Sequence, residues 1–139
     1  MAVSVEVHGV NELKMKLTDL ANMTKIKQAV DKATVVVEGE IKSLTPVVTG
    51  KLRSSIHPKP AVIEGNSAVG KVYTNTEYAM YVEYGVGRLG QGSHPKLASG
   101  YSNEVNGFTA RAMFYRGLKN KKKAVTTLIR SAVQEDLRR

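Results

Sequence analysis

Apolar residues recur at steps of three and four along the first third of the chain, which is the spacing of an amphipathic helix. A first stripe contains Leu13, Leu17 and Leu20, and a second contains Ile26, Val30, Ala33, Val37, Ile41 and Leu44. Asn11 is a candidate helix cap, and Pro46 ends the helix because the residue before a proline avoids helical geometry. The pattern predicts one long helix between these two residues, bent or interrupted near residues 22–24.

Shorter stretches show the alternation of apolar and polar residues that is typical of strands. The N-terminal stretch "VSVEVHGV" predicts a strand that ends at Gly9. Between residues 51 and 75, the segments "LRSSIHPKPAVI" and "SAVGKVYTN" flank the turn residues 64–66 and predict a β-hairpin. Because Pro58 and Pro60 cannot donate ladder hydrogen bonds, they favour an edge strand, a bulge or an extended arm.

The C-terminal segment from Phe108 onward carries apolar residues at helical spacing and predicts an amphipathic helix, with Gly117 as a candidate break. Over the stretch "TEYAMYVEYG", periodicity does not distinguish a helical turn from a strand. Residues 85–107 are rich in glycine and predict a flexible loop. We therefore predict a single α+β domain over residues 1–139, with a long N-terminal helix and a C-terminal helix packed on a small, mainly antiparallel sheet.

Gly85, Gly87 and Gly90 have the G-x-G-x-x-G spacing of a loop that cradles a pyrophosphate. That motif requires a helix directly after the glycines, so that its N-terminal amides face the phosphate. Here Gly92 and Pro95 oppose a helix at that position. The surroundings of the motif favour a mobile loop over a nucleotide site.

Residues with catalytic or metal-binding chemistry are sparse. The chain has no cysteine, and His8, His57 and His94 are isolated from one another. No G-x-S-x-G nucleophile motif occurs, and Glu38 and Glu40 point in different directions on a helix. The sequence predicts no catalytic residue, metal site, cofactor or small-molecule substrate. It also shows neither a signal peptide nor an apolar stretch of membrane-spanning length, so we expect no export and no membrane contact.

Positive charge is concentrated at the C-terminal end of the chain. The formal net charge is +9, and residues 108–139 hold nine Lys or Arg residues against Glu135 and Asp136. The candidate contacts to DNA or to an acidic surface are Arg116, Lys119, Lys121, Lys122 and Lys123. Such a cluster suits phosphate-backbone contact or an acidic protein surface, and a solvated helix face is the alternative.

Two segments carry a family resemblance. Residues 45–56, "TPVVTGKLRSSI", are called the first motif, and residues 78–87, "YAMYVEYGVG", the second motif. In this order they resemble a bacteriophage family of head-tail joining or tail-completion proteins, also called neck or minor tail components. The chain departs from the family pattern at Val86, where the family usually has Thr, and at residues 111–117, where two prolines are missing.

The resemblance implies a structural virion protein and not an enzyme. It would act in head-tail joining or tail completion at the neck of a tailed phage or prophage, after assembly in the host bacterial cytoplasm. Its partners would be neighbouring copies in a ring and other neck, connector or tail proteins. The residues expected at such interfaces are Thr45, Pro46, Thr49, Gly50, Arg53, Tyr78, Tyr81, Glu83, Gly85 and Gly87. Tyrosines of the second motif also fit a half-buried strand or turn, and the alternative function is a small, basic, non-specific nucleic-acid-binding domain.

Overall fold

A computed structural model describes residues 1–6, 23–65, 67–91, 93–94 and 106–138. Its elements are β1 (Ala2–Glu6), α1 (Thr24–Leu44), α2 (Lys51–Ser54), β2 (Ile56–Glu64), β3 (Ser67–Thr74), α3 (Ala79–Tyr84), α4 (Gly87–Gly90) and α5 (Met113–Leu137). Helix α1 packs against both α5 and the hairpin strands. The predicted α+β class is confirmed, although the longest described helix is the C-terminal one, with 25 residues against 21 in α1.

Helix α1 buries the stripe that the sequence predicts. Its fully buried apolar residues are Ile26, Val30, Ala33, Val37 and Ile41. The helix ends at Leu44, and Thr45 adopts an extended conformation (φ −75°, ψ 127°) directly before Pro46. The predicted N-cap Asn11 and the first leucine stripe lie outside the described residues.

The sheet is antiparallel with strand order β1-β3-β2, so the predicted hairpin pairs as expected and β1 adds to its other side. Pro58 and Pro60 lie in the edge strand β2, where the register shifts between Lys59 and Val62. At this bulge the amide of Ala61 donates a 2.6 Å hydrogen bond to Asp31 Oδ1 of α1. The irregular part of the edge strand is thereby tied to the central helix.

The segment before β2 corrects one prediction. Residues 51–55 were expected to be extended, but α2 and Ser55 form a helical turn instead. Gly50 reverses the chain with a left-handed backbone (φ 78°), and Leu52 is then buried at 4% exposure. Burial of this one leucine stabilises the turn against the local strand pattern.

Gly117 corrects a second prediction, because α5 runs through it without a break. A Cβ atom at this position would lie 2.5 Å from Ile41 Cγ1 and 3.2 Å from the Ile41 amide nitrogen. Gly70 plays the same role in β3, where a Cβ would clash with Thr34 and Val30. Both glycines allow α1 to approach its neighbours closely.

Two clusters of buried apolar residues follow one another along α1. The larger cluster includes the C-terminal part of the α1 stripe and contains Ala33, Val37, Ile41, Leu52, Ile56, Val72, Ala79, Met113, Phe114 and Val125. The smaller one contains Ile26, Val30, Ala61 and Ala68.

Helix α5 begins at Met113 and not at Phe108, since residues 108–112 are not helical.

We expect Gly117→Ala to destabilise the fold by about 1–3 kcal/mol, because the added methyl group overpacks the contact with Ile41. The matched control is Gly39→Ala on the exposed side of α1, where nothing lies within 4 Å of the added Cβ. That change should stabilise the helix by about 0.5–1 kcal/mol. Urea unfolding followed by circular dichroism measures both, and equal stability of the two variants would contradict the close approach.

Candidate assembly interface

The first motif begins at the end of α1 and leads into an exposed turn. The Thr45 hydroxyl donates to the Ile41 carbonyl at 2.7 Å and lies 3.3 Å from Met113 Sδ. Thr45 is buried, whereas Val47 is 56% and Val48 is 96% exposed. The anchored threonine therefore fixes the base of a turn that presents two valines to solvent.

Two further residues of the first motif, Thr49 and Arg53, are polar and exposed. The Lys51 amide donates to the Thr49 hydroxyl at 3.4 Å, and the side chain of Arg53 is exposed on α2. Pro46 and Gly50 are partly buried. Together these residues form the rim of the valine turn.

The second motif forms α3, which settles the choice between helix and strand in favour of the helix. Tyr78, Met80 and Tyr81 are 40%, 57% and 60% exposed, respectively. Ala79, on the opposite side, is fully buried in the larger core cluster. The short helix therefore has one side in the core and three large side chains at the surface.

A hydrogen-bonded cluster of hydroxyl groups joins the first motif to residues 74–76, which lie just before the second motif. Ser55 Oγ is 2.6 Å from Thr74 Oγ1, and the Thr76 hydroxyl donates to Ser55 Oγ at 2.7 Å. Leu52 and Ala79 also share the larger core cluster. Residues 19 and 21 positions apart in sequence are thereby held together.

Glu83 has a different place from the one expected of an interface residue. It is only 2% exposed, and its carboxylate accepts hydrogen bonds from the amides of Phe114 (2.9 Å) and Tyr115 (3.1 Å). These are the second and third residues of α5, whose N-cap, Ala112, has a left-handed backbone and offers no side-chain cap. Glu83 supplies the missing cap from another element, and its charge is favourable at a helix N-terminus.

His94 completes the surroundings of this carboxylate. Its Nε2 atom lies 3.2 Å from Glu83 Oε1, and the side chain is buried. The imidazole packs between the rings of Tyr84 and Tyr115, at centroid distances of 4.6 and 5.7 Å. The carboxylate therefore bonds to both a helix terminus and a buried imidazole.

The glycines of the second motif allow two chain segments to cross. Gly85 and Gly87 have φ values of 80° and 66°, and a Cβ on Gly85 would lie 2.7 Å from the Ala110 nitrogen. Between them, Val86 exchanges two 2.9 Å backbone hydrogen bonds with Phe108. Close packing and a positive φ thus account for Gly85, and a positive φ accounts for Gly87.

The G-x-G-x-x-G spacing falls on a helical turn and not before one. Helix α4 comprises Gly87–Gly90 itself, which differs from the expected loop without a helix. Within the predicted loop 85–107 the structure also describes residues 91, 93, 94, 106 and 107, and Leu89 donates a backbone hydrogen bond to Asn106 at 2.9 Å. The other residues of that loop lie outside the described part.

The residues predicted for an interface fall into two groups. Thr49, Arg53, Tyr78 and Tyr81 are exposed, whereas Thr45, Glu83, Gly85 and Gly87 are buried. Sequence reasoning did not single out the exposed Val47, Val48 and Met80. A signal for the two valines was present, since they lie between a helix-ending proline and a turn glycine, outside any apolar stripe.

The predicted basic residues also divide. Arg116, Lys119, Lys122 and Lys123 are exposed on α5, whereas Lys121 Nζ lies 3.5 Å from Glu40 Oε2 of α1. The same carboxylate accepts a 2.9 Å hydrogen bond from Asn120 Nδ2. The Asn120 hydrogen bond, together with the positive charges of Lys121 and Arg116, lowers the pKa of Glu40 below its ordinary value.

The described residues show neither a metal-binding group nor a membrane-spanning helix. None of the His, Asp and Glu side chains described here form a group of three or more that could hold a metal ion. No helix in the described ranges combines the length and apolar character needed to span a membrane.

Comparison with known proteins identifies the family. Residues 11–85 match the model of a protein family described as "Bacteriophage HK97-gp10, putative tail-component". The match covers more than half of the chain and places it among bacteriophage tail components. Within that class, the chain belongs to the HK97 gp10-like family. Among curated proteins and solved structures, none matches the chain significantly.

We expect Glu83→Ala to destabilise the fold by about 3 kcal/mol, because two helix-terminal amides and an imidazole lose a buried charged partner. Glu83→Gln should cost less, since its amide keeps one acceptor oxygen. Thermal unfolding measures the change, with the exposed residue Glu77 as control. Glu77→Ala should fall within about 0.5 kcal/mol of the parent protein, and an equally small effect of Glu83→Ala would contradict the capping role.

The lowered pKa of Glu40 predicts that the stability of the fold depends on pH. Its pKa is lowered in the folded state, so its contribution to stability is present above the unfolded-state pKa and is lost as pH falls through the folded-state pKa. The difference in unfolding free energy between the parent protein and Glu40→Gln should therefore shrink as the pH drops from 7 to 3. Asn120→Ala should reduce this difference in unfolding free energy at pH 7, because it removes the hydrogen bond that is the largest cause of the lowered Glu40 pKa. A difference that grows on acidification would contradict the assignment.

Proposed function

We propose that this protein is a structural component of the neck of a tailed phage or prophage, where it completes the tail or joins the tail to the head. Copies would assemble in the host bacterial cytoplasm into a ring around the tail axis and contact other neck, connector or tail proteins in the virion. Membership of a tail-component family supports the setting. The more specific role rests on the surface that the two motifs present.

The observation that carries this proposal is the exposure of large apolar side chains on two motifs that the fold holds together. Val47 and Val48 of the first motif and Met80 and Tyr81 of the second are all more than half exposed. Methionine and aromatic side chains are enriched in protein interfaces, and exposed apolar patches mark sites of protein–protein contact. We call these four side chains the motif surface.

Buried residues of the two motifs hold the motif surface in place. Thr45 fixes the valine turn on α1, and Glu83 fixes the end of α3 to α5. Residues expected at the interface therefore contribute in two ways, through contact or through positioning. A ring would require a heterologous contact, in which the motif surface of one copy meets a different surface of the next.

The test uses a phage that carries this gene with an early nonsense codon, with plasmids supplying variants of the protein. Electron microscopy of the lysates should show filled heads beside unattached tails, and the intact gene should restore attached particles. Attached particles in the absence of the protein would overturn the proposed role.

We expect a Val48→Asp plasmid to fail in restoring attached particles, because a charge would be buried at the contact. The matched control is Val35→Asp, which places the same change at a valine of 56% exposure on α1, outside both motifs. This control should restore them. Both purified variants should unfold at nearly the same temperature as the parent protein. Full rescue by Val48→Asp would show that attachment does not depend on the motif surface.

A further inference from the structure

One face of α5 carries a row of exposed cations. Arg116, Lys119, Lys123 and Arg130 are spaced by three, four and seven residues and are all exposed. Since each residue advances a helix by 100°, these four lie within a sector of roughly 60° and extend over about 21 Å. We call this row the basic ridge.

The described surroundings leave the ridge without a nearby acid on its own helix. Glu135 is about 140° around the helix from Arg130. The acid that α1 brings to α5 is Glu40, and it contacts Lys121 and Asn120. Glu40 therefore pairs with Lys121 and acts electrostatically on Arg116 at the N-terminal end of the ridge, while all four ridge side chains remain exposed.

The composition of the ridge favours a polyanion over a protein surface. None of the large apolar side chains that the described residues expose lies on α5. Protein interfaces are depleted in lysine and depend on a desolvated apolar or aromatic core, which this face does not offer. The polar residue Thr127 lies between Lys123 and Arg130, and Gln134 follows one turn beyond Arg130.

The side chains of the ridge suit double-stranded rather than single-stranded nucleic acid. Single strands are bound through aromatic rings on which the bases stack. Tyr115 lies on the same helix, and Lys119 Nζ lies over its ring at 6.0 Å from the centroid. A straight row of cations fits a duplex, which carries one negative charge per about 1.7 Å of its axis.

We propose that the basic ridge binds the phosphate backbone of duplex DNA without sequence preference. This inference goes beyond the proposed neck role and can fail separately, because binding is measured on the purified chain and attachment on whole particles. Four phosphate contacts predict that log K falls against log salt concentration with a slope of about −3.6. Affinity should therefore drop roughly a hundredfold between 50 and 200 mM salt.

The experiment measures binding of the full chain to two 25-bp duplexes of unrelated sequence by fluorescence anisotropy. The ridge variant is Lys119→Gln with Lys123→Gln and Arg130→Gln. The control variant is Lys32→Gln with Lys51→Gln and Lys59→Gln, which removes the same charge from exposed positions on other elements. The ridge variant should reduce the salt slope to about −1, and the control should keep the parent slope.

Three results would overturn the proposal: no duplex binding at 50 mM salt, equal loss in the ridge and control variants, or capture of polyglutamate without binding of the duplex. The last would identify an acidic protein surface as the partner. Circular dichroism checks that each variant folds. If the triple ridge variant does not fold, the three single variants replace it, and each should lower the magnitude of the slope by about 0.9.

Discussion

The Glu83 carboxylate at the start of α5 is the interaction on which the arrangement of the C-terminal half depends. Helix α5 starts after Ala112, a residue that cannot cap a helix, and the amides of Phe114 and Tyr115 are removed from water. Unpaired buried amides would cost free energy comparable to lost hydrogen bonds. Since their acceptor comes from α3, that short helix and the start of the longest helix form one unit.

Backbone hydrogen bonds also hold the segment before α5 against α3. The amides of Arg111 and Ala112 donate to the carbonyls of Val82 and Glu83 at 2.9 and 3.0 Å, so the chain runs alongside α3 before it enters α5. The exposure of Met80 and Tyr81 follows from this anchoring. A side chain that caps one helix thereby determines which face of another helix meets solvent.

Helix α1 is the other organising element, because both the sheet and α5 pack against it. The approach is close where the neighbour has glycine, at Gly70 in β3 and Gly117 in α5. Its C-terminal end supports the valine turn, and its Glu40 engages Lys121. As a result, the molecule presents an apolar surface at the motifs and a cationic one along α5, two surfaces that suit different partners.

The sequence by itself determined the elements whose signals are local. The stripe of α1, the stop at Pro46, the positive φ of Gly50 and the edge position of the two β2 prolines follow from periodicity and backbone sterics. The tertiary structure alone decided the helical turn at residues 51–54, the unbroken passage of α5 through Gly117 and the burial of Glu83. The reason is physical: each depends on a partner that lies far away in the chain, such as the amide of Phe114, 31 residues from Glu83. A local pattern shows that a residue can be polar or small, but only packing decides whether its neighbour is water, a backbone or a helix end.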